Sequence, residues 1–223
     1  MKIRVKFEKG EPVKFISHLD TVRTFERAMR RAKLPLAFSH GFTPHPRMVF
    51  ASALPVGITS SGEYFDAEFY ENIAPDEVGC RLNSALPEGI KIKKVGFADG
   101  KFPLSAINRA LYKVIVSSGA AAADWESAVT SLLSQTNIIV DKVLKDKTKR
   151  VNIAPLIDNI SIVNVSSGKV ELRMELSTGQ GGSVQPQVIV SELSRILSKE
   201  LSLDLVHRLD LFLKKGQIRI SPL

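Results

Sequence analysis

The sequence contains a single cysteine, Cys80, among its 223 residues. One thiol excludes a disulfide within the chain and any iron–sulfur cluster held by this chain alone, and it suits a reducing cytosol. The sequence also lacks an HExxH motif, a P-loop, a dinucleotide fingerprint and an evident Ser-His-Asp order. We therefore expect this chain itself to bind no metal and no cofactor.

Long apolar runs are absent as well. No stretch of about 18 apolar residues occurs, so no membrane span is expected. The first eleven residues alternate charged and apolar side chains and lack the continuous apolar core of a signal peptide. The overall composition is ordinary for a globular protein that buries its own core. These features predict a cytoplasmic protein.

Acidic residues are scarce in the first 50 positions, which hold 11 Lys/Arg against 4 Asp/Glu. The whole chain carries a net charge of +8, so nearly all of the excess lies in this segment. Within it, residues 1–7 alternate strictly, which predicts a strand with Lys2, Arg4 and Lys6 on a basic outer face. A local excess of this kind indicates a polyanionic partner.

A helix is predicted over residues 18–33, with Ser17 as its N-cap and Pro35 beyond its end. Apolar residues at helical spacing form its core stripe. A second stripe, about a third of a turn away, is cationic and consists of Arg23, Arg27 and Arg30. Arg31 and Lys33 extend it. A solvated helix face and a nucleic-acid contact both fit this pattern, and the neighbouring basic strand favours the contact.

Residues 38–62 follow this helix and carry three prolines and three glycines, which predicts an ordered loop, a strand near residues 47–54 and a second turn. His40, His45 and Arg47 lie in this segment, and His18 heads the preceding helix. Imidazoles titrate near neutral pH, so His40 or His45 could serve as a general acid or base, with His18 as a further candidate. The alternative is that these histidines are hydrogen-bonded within the loop and have no catalytic role.

The order of predicted elements is β-α-β-β-α-β in the first half and similar in the second. This order predicts an α+β fold of two tandem ferredoxin-like domains, residues 1–102 and 103–223, with antiparallel sheets and helices on one face. The turn-rich segment 96–108 separates them. In the second half we expect a basic turn at residues 145–150 and a hairpin around residues 166–168.

A glycine-rich turn precedes the last predicted helix. Gly181, Gly182 and Ser183 could leave backbone N–H groups free to bind an anion at the helix N-terminus. The spacing matches no phosphate-binding fingerprint. A flexible turn with Ser183 as the helix cap is the alternative.

Several short motifs, spread over essentially the whole chain, resemble motifs of the radical SAM-linked protein family. In the first half they are residues 15–20 (FISHLD), 41–47 (GFTPHPR), 54–57 (LPVG) and 61–64 (SGEY). In the second half they are residues 153–157 (IAPLI), 181–186 (GGSVQP) and 206–208 (VHR). The family pattern has arginine where Gln185 stands, which weakens an anion-binding role for the glycine turn.

The resemblance implies a partner rather than a reaction. Members of that family are uncharacterised and are encoded beside, or fused behind, a radical-SAM iron–sulfur protein, so any cluster would belong to that neighbour. Ribonuclease and ribosomal-protein genes are associated with the family, which points to RNA. Three hypotheses follow: an RNA-binding accessory of a radical-SAM enzyme, a stand-alone RNA-processing or RNA-modifying enzyme, and a protein–protein adaptor.

Overall fold

The computed structural model describes residues 1–100, 102–144 and 147–223. These residues form an α+β fold with four α-helices, and the sheet pairings recorded for them are antiparallel. The predicted α+β class is therefore confirmed. In the described part of the chain, no helix has the length and apolar character needed to cross a membrane.

The chain divides into two compact units, Met1–Asn108 with Arg208–Leu223, and Arg109–His207. The sequence placed the division between residues 102 and 103 and kept the C-terminus with the second half. The difference arises at one long strand near the C-terminus, which alternates without a break at Arg208. No local signal marks the residue at which that strand passes from one unit to the other.

The first unit contains the elements of the basic N-terminal segment. Its elements are β1 (Lys2–Lys9), α1 (His18–Arg31), β2 (Met48–Phe50), β3 (Thr59–Glu68), α2 (Pro75–Ala85) and β4 (Ile90–Phe97). β1 pairs with both β3 and β4, and β2 pairs with β3, so these strands lie in the order β4-β1-β3-β2. β2 lies within the predicted strand near residues 47–54 and is shorter than predicted.

The second unit repeats this order of elements with one insertion. Its elements are β5 (Arg109–Ser117), α3 (Ala122–Ser134), β6 (Ile139–Leu144), β7 (Lys147–Asn152), β8 (Ile157–Ser166), β9 (Lys169–Ser177), α4 (Pro186–Leu197) and the first part of β10 (Ser202–Lys215). The strand order is β10-β5-β9-β8, and β6 and β7 form a separate two-stranded sheet. A last short strand, β11 (Ile218–Ile220), pairs with β10 in the first unit.

Two local predictions in the second unit had different outcomes. The hairpin around residues 166–168 is confirmed, because Val165 pairs with Val170 across β8 and β9. The basic turn expected at residues 145–150 is wrong in part. Lys147–Asn152 form β7, and residues 145 and 146 lie outside the described residues. This strand was not predicted, because its consecutive charged side chains give no strand-like hydropathy pattern.

The core of the first unit forms on one face of β1. Ile3, Val5 and Phe7 alternate into a buried cluster with Phe25 of α1 and Phe65 of β3. The rings of Phe7 and Phe25 meet edge to face with centroids 4.7 Å apart. This packing fixes α1 against the sheet, so the opposite side of the helix faces solvent.

The other face of β1 is exposed at Lys2 but buried at Arg4, so it is not the continuous basic surface that its alternation predicted. Arg4 is 1% exposed and forms a two-pronged ion pair with Asp66, through N–O distances of 2.7 and 2.9 Å. Its guanidinium also donates to the carbonyl oxygens of Phe102 and Pro222. Segments nearly 100 and more than 200 residues away in sequence therefore cover this face, which a local pattern cannot reveal.

Candidate nucleic-acid interface

Local capping fixes both ends of α1. The Ser17 hydroxyl oxygen accepts the backbone N–H of Asp20 at 3.1 Å, which confirms the predicted N-cap. The hydrogen bond from Ser17 also lowers the pKa of the Asp20 carboxyl. At the other end, the Arg81 guanidinium donates to the carbonyl oxygens of Ala32 and Lys33. The helix thus holds its side chains at fixed positions.

The arginine face of α1, defined as Arg23, Arg27, Arg30 and Arg31, is exposed along its whole length. Arg23 lies 3.4 Å from an Asp20 carboxylate oxygen, and Arg31 donates to the carbonyl oxygen of Ala85 at 2.6 Å. Within the described residues, neither Arg27 nor Arg30 has an ion-pair or hydrogen-bond partner. The structure therefore presents two guanidinium groups whose donors are available to an anion.

Residues 38–46 form a closed loop beyond α1, here called the 38–46 loop. Phe38 and Pro46 form an isolated β-bridge, and the Ser39 N–H donates to the His45 carbonyl oxygen at 2.8 Å. The Ser39 hydroxyl accepts the His45 N–H at 3.0 Å. Between these ends the chain turns through Gly41, whose φ is +127°, a value that glycine adopts readily. Hydrogen bonds thus hold the loop in shape although its surface is open to solvent.

The loop carries His40 and His45, both of which are exposed. Phe42, between them, has a fully exposed ring. Arg47 follows the loop and lies 2.6 Å from a Glu68 carboxylate oxygen. The structure therefore places both predicted loop histidines on one short segment, with an aromatic ring that sequence reasoning had not singled out.

A pocket of about 160 Å³ connects this loop with the arginine face. Its lining is largely apolar and includes Met29, Leu34, Leu36, Phe38 and Pro46, with Glu26 and Arg30 as its charged members. The ring of Phe38 remains 47% exposed. The sequence placed the basic stripe and the loop next to each other in the chain, but only the fold shows that Arg30 and Phe38 line one pocket.

His18 belongs to a different cavity. Its ring packs edge to face on Phe50, and together with Lys9, Glu63 and Tyr64 it lines a cavity of about 20 Å³. That volume is enough for about one water molecule. The structure thus does not bring His18 into the pocket formed by the 38–46 loop, and among the described residues no cluster of three or more His, Cys, Asp or Glu side chains is arranged to hold a metal ion.

Two charged residues near this cavity are paired and buried. Arg208 is 1% exposed, and its guanidinium donates to both carboxylate oxygens of Glu63 at 2.7 and 2.5 Å. A further donor bonds the Ser52 carbonyl oxygen at 2.9 Å. The pair fastens the segment after β2 to the sheet. It therefore has a structural role that its position in the sequence did not indicate.

Lys9 is 2% exposed, and its ammonium donates to the Ile16 carbonyl oxygen at 2.8 Å. Burial lowers the pKa of this amine, and the positive charge of Arg208 lowers it further, against an opposing effect of Glu63. Between the lowered pKa and 10.5 the unfolded chain binds more protons than the folded protein, so Lys9 makes folding more favourable as the pH rises through that range.

Replacing Lys9 with methionine should remove this pH dependence. We expect the free energy of unfolding of the wild type to rise relative to Lys9→Met between neutral pH and about pH 10, by about 1.4 kcal/mol for each unit by which burial lowers the pKa. Urea unfolding of both proteins at several pH values measures the difference. Parallel stability curves would contradict the assignment.

Tyr64 is buried, and its hydroxyl donates to a carboxylate oxygen of Asp210 at 2.7 Å. Burial raises the pKa of this phenol well above 10, and the hydrogen bond to Asp210 raises it further. This environment of Tyr64 contributes its full stabilisation of the folded state below pH 10, where the phenol is neutral in both the folded and the unfolded chain. The stabilisation is lost as the pH rises further, because only the unfolded chain then ionises.

A Tyr64→Phe variant tests this environment. While both proteins are folded, we expect them to show the same phenolate absorbance on titration to about pH 11, because Tyr64 stays neutral. After alkaline unfolding the wild type should show one additional phenolate. An excess of phenolate in the folded wild type would show that Tyr64 is accessible.

The glycine turn differs from its predicted arrangement. Gln185, not Ser183, is the N-cap of α4, and Pro186 at the first helical position has no N–H to offer an anion. Gly182 has a φ of +111°, and a Cβ there would lie 3.0 Å from a methyl carbon of Leu156. Backbone geometry thus explains Gly182. Anion binding at Gly181, Gly182 and Ser183 remains a prediction.

Cys80 lies on α2 and is exposed, although cysteine is more often a small buried residue. The buried side of this helix instead contains Val78, Gly79 and Leu82. A Cβ at position 79 would lie 3.0 Å from a methyl carbon of Val95, so glycine allows α2 to approach β4 closely.

Comparison with other proteins gives a family and a fold. A family model described as an uncharacterised protein conserved in bacteria matches residues 2–186. No curated protein sequence matches the chain.

Two solved structures contain a chain of similar fold. A chain in the crystal structure of a Cbf5–Nop10–Gar1 complex matches with a TM-score of 0.55 at 7% identity, over 92% of this chain and 47% of that one. A chain in the archaeal box H/ACA sRNP Nop10–Cbf5 complex matches with a TM-score of 0.51 at 8% identity, over 92% and 46%. The present chain thus spans about half the length of these chains, and at such identities the likeness shows the fold alone.

Proposed function

This chain belongs to the DUF2344 family of uncharacterised proteins conserved in bacteria, and from that premise we propose that it is an RNA-binding accessory protein of a radical-SAM enzyme. The arginine face of α1 binds the phosphates of the RNA. The 38–46 loop, with His40 and His45, and the adjoining Arg47 lie at the end of this face and contact the same RNA. A single free thiol fits a protein that works in the reducing cytosol.

The observation that carries the proposal is the lack of partners for Arg27 and Arg30 among the described residues. Each guanidinium has five donors in a planar fork, and phosphate oxygens match that fork in pairs. Arg23, Arg27 and Arg30 recur at intervals of four and three residues, which places them on one side of the helix over about 10 Å of its length. Such a row of cations fits a phosphate backbone.

The fold likeness agrees with this proposal by analogy only. One of the solved structures of similar fold described above is an archaeal box H/ACA sRNP complex, so this fold occurs within such a particle. Function depends on a site rather than on a fold. The arginine face, and not the fold, therefore supports RNA binding.

Binding of the purified chain to labelled RNA over a series of salt concentrations tests the proposal. Release of counterions from single-stranded RNA should give a slope of log affinity against log salt of about −0.7 for each phosphate bound, or about −2 for three phosphates. No binding at about 0.05 M salt, or an affinity that does not change with salt, would overturn the proposal.

The protein–protein adaptor hypothesis has support from one exposed apolar patch. Phe15, Leu19 and Val56 are 72%, 65% and 57% exposed. The Gly57 N–H donates to the Lys14 carbonyl oxygen at 2.9 Å, which holds the segments of Phe15 and Val56 together. An accessory protein needs such a surface for its partner, and the resemblance to the radical SAM-linked family makes the radical-SAM iron–sulfur protein that partner. Complex formation in the absence of RNA is the expected result on gel filtration of the two proteins.

The hypothesis that the isolated chain is an RNA-processing or RNA-modifying enzyme has less support. A general base must be held by a third group to act efficiently, and in the described residues no side-chain hydrogen bond orients the ring of His40 or His45. If either were catalytic, the isolated chain would turn over RNA, and a folded His45→Ala variant would not.

The ferredoxin-like description of both units is part of the proposal. Each unit has the element order β-α-β-β-α-β once the β6–β7 hairpin is set aside, and the strand orders β4-β1-β3-β2 and β10-β5-β9-β8 are equivalent. This equivalence supports two copies of a split βαβ arrangement.

A further inference from the structure

The 38–46 loop holds aromatic rings in contact with solvent, at the expense of the free energy that burial would provide. The ring of Phe42 is fully exposed and that of Phe38 is 47% exposed. The loop is nevertheless closed by the Phe38–Pro46 bridge and by the hydrogen bonds between Ser39 and His45. A rigid loop that displays a bare aromatic ring offers a flat surface for another ring system.

The pocket behind Phe38 has the size and chemistry of a site for one flat heterocycle. Its volume of about 160 Å³ is below the ~300 Å³ at which pockets for drug-sized molecules begin. The pocket therefore suits a single base rather than a whole nucleotide. Met29, Leu36 and Phe38 provide apolar walls, while Glu26 and Arg30 offer an acceptor and donors to the polar edge of a base.

Arg30 belongs both to this pocket and to the arginine face, so the phosphate-binding row leads directly to the aromatic loop. In a duplex the bases are stacked and paired, and their faces cannot reach a ring on a protein loop. In a single strand each base has a free face, and proteins bind such strands by combining a cationic groove with aromatic stacking. The charge, the exposed rings and the pocket together select single-stranded RNA.

We propose that the loop and the pocket recognise unpaired bases, one stacked on Phe42 and one held against Phe38 beside Arg30. This inference rests on the proposed function and specifies its ligand as single-stranded RNA. The pocket limits the depth of the site to one base, and the arginine face binds the adjoining phosphates. The histidines on either side of Phe42 flank the stacked base.

The test compares the affinities of the chain for a short single-stranded RNA and for a duplex of the same length, using the wild type, Phe42→Ala and Phe38→Ala. Stacking on one aromatic ring typically accounts for about 5- to 150-fold in affinity. We expect Phe42→Ala to weaken single-strand binding by a factor in this range and to leave duplex binding unchanged. Since the Phe42 ring is fully exposed, its removal should not affect folding.

Phe97→Ala is the matched control, because Phe97 is also an exposed phenylalanine, at the end of β4. We expect this variant to bind single-stranded RNA like the wild type. Ultraviolet cross-linking followed by peptide mapping should locate the RNA on residues 38–47.

The outcomes separate this inference from the proposed function. Equal affinity for both RNAs, with Phe42→Ala binding as well as the wild type, would overturn base recognition and leave phosphate binding by the arginine face in place. Loss of affinity in Phe97→Ala equal to that in Phe42→Ala would also overturn it. Absence of RNA binding by the wild type would defeat the proposed function itself, and the inference with it.

Discussion

Replacing Glu63 with alanine is expected to lower the free energy of unfolding by about 3–5 kcal/mol, because it removes the carboxylate that pairs with the buried guanidinium of Arg208. Arg208 is 1% exposed, and the carboxylate of Glu63 receives two of its hydrogen bonds. Urea unfolding of the wild type and the variant measures the difference.

Glu68→Ala is the matched control for this experiment. Its carboxylate also pairs with an arginine, Arg47, but the two side chains are 37% and 51% exposed. Exposed pairs contribute about 0–1 kcal/mol, so this variant should be nearly as stable as the wild type. A double variant, Glu63→Leu with Arg208→Met, should recover most of the lost stability, because neither charge of this pair is then buried without the other. If Glu63→Ala cost no more than Glu68→Ala, the buried pair would not have the role described.

Replacing Arg23, Arg27 and Arg30 together with glutamine is expected to weaken RNA binding by about 50-fold at 0.15 M salt, since three phosphate contacts with a slope of about −0.7 each are lost. The side chains are exposed, and glutamine is nearly as good a helix former as arginine, so stability should change by less than about 0.5 kcal/mol. Fluorescence anisotropy with labelled single-stranded RNA measures the affinity.

The control for this variant removes the same charge from elsewhere in the first unit. Lys91, Lys93 and Lys94 are exposed on β4. Lys91 and Lys93 alternate with Ile90 and Ile92, which pack into the core on the side of α1, so these two lysines lie on the opposite face of the sheet. Replacing the three lysines with glutamine should lower the affinity only slightly. Equal losses in the two triple variants would mean that net charge, and not the arginine face, governs binding.

Features encoded within a few residues of each other could be predicted from the sequence. The N-cap Ser17, the helix after it and its arginine stripe depend on local spacing, and the structure contains all three. The hairpin around residues 166–168 depends on a short turn and was also predicted correctly. The helix after Ser17 carries the arginine face, so the main part of the candidate interface could be predicted from the sequence alone.

Features that depend on residues far apart in the chain were missed. Alternation in β1 suggested that Arg4 would be exposed, but Phe102 and Pro222 cover it. The pairing of Glu63 with Arg208 joins residues 145 positions apart. An alternating pattern shows which residues share a face of a strand and not whether a distant segment covers that face, and the pocket that joins Arg30 to Phe38 was missed for the same reason.

The most direct measurement of the central claim is the identity of the nucleic acid that remains with the chain when it is purified from bacterial cells at low salt. The wild type and the Arg23/Arg27/Arg30 triple glutamine variant are compared, and each sample is digested separately with ribonuclease and with deoxyribonuclease. If the arginine face binds RNA, the wild type carries nucleic acid that ribonuclease removes, and the variant carries little or none. Nucleic acid that only deoxyribonuclease removes, an equal amount with the variant, or none with the wild type would contradict it.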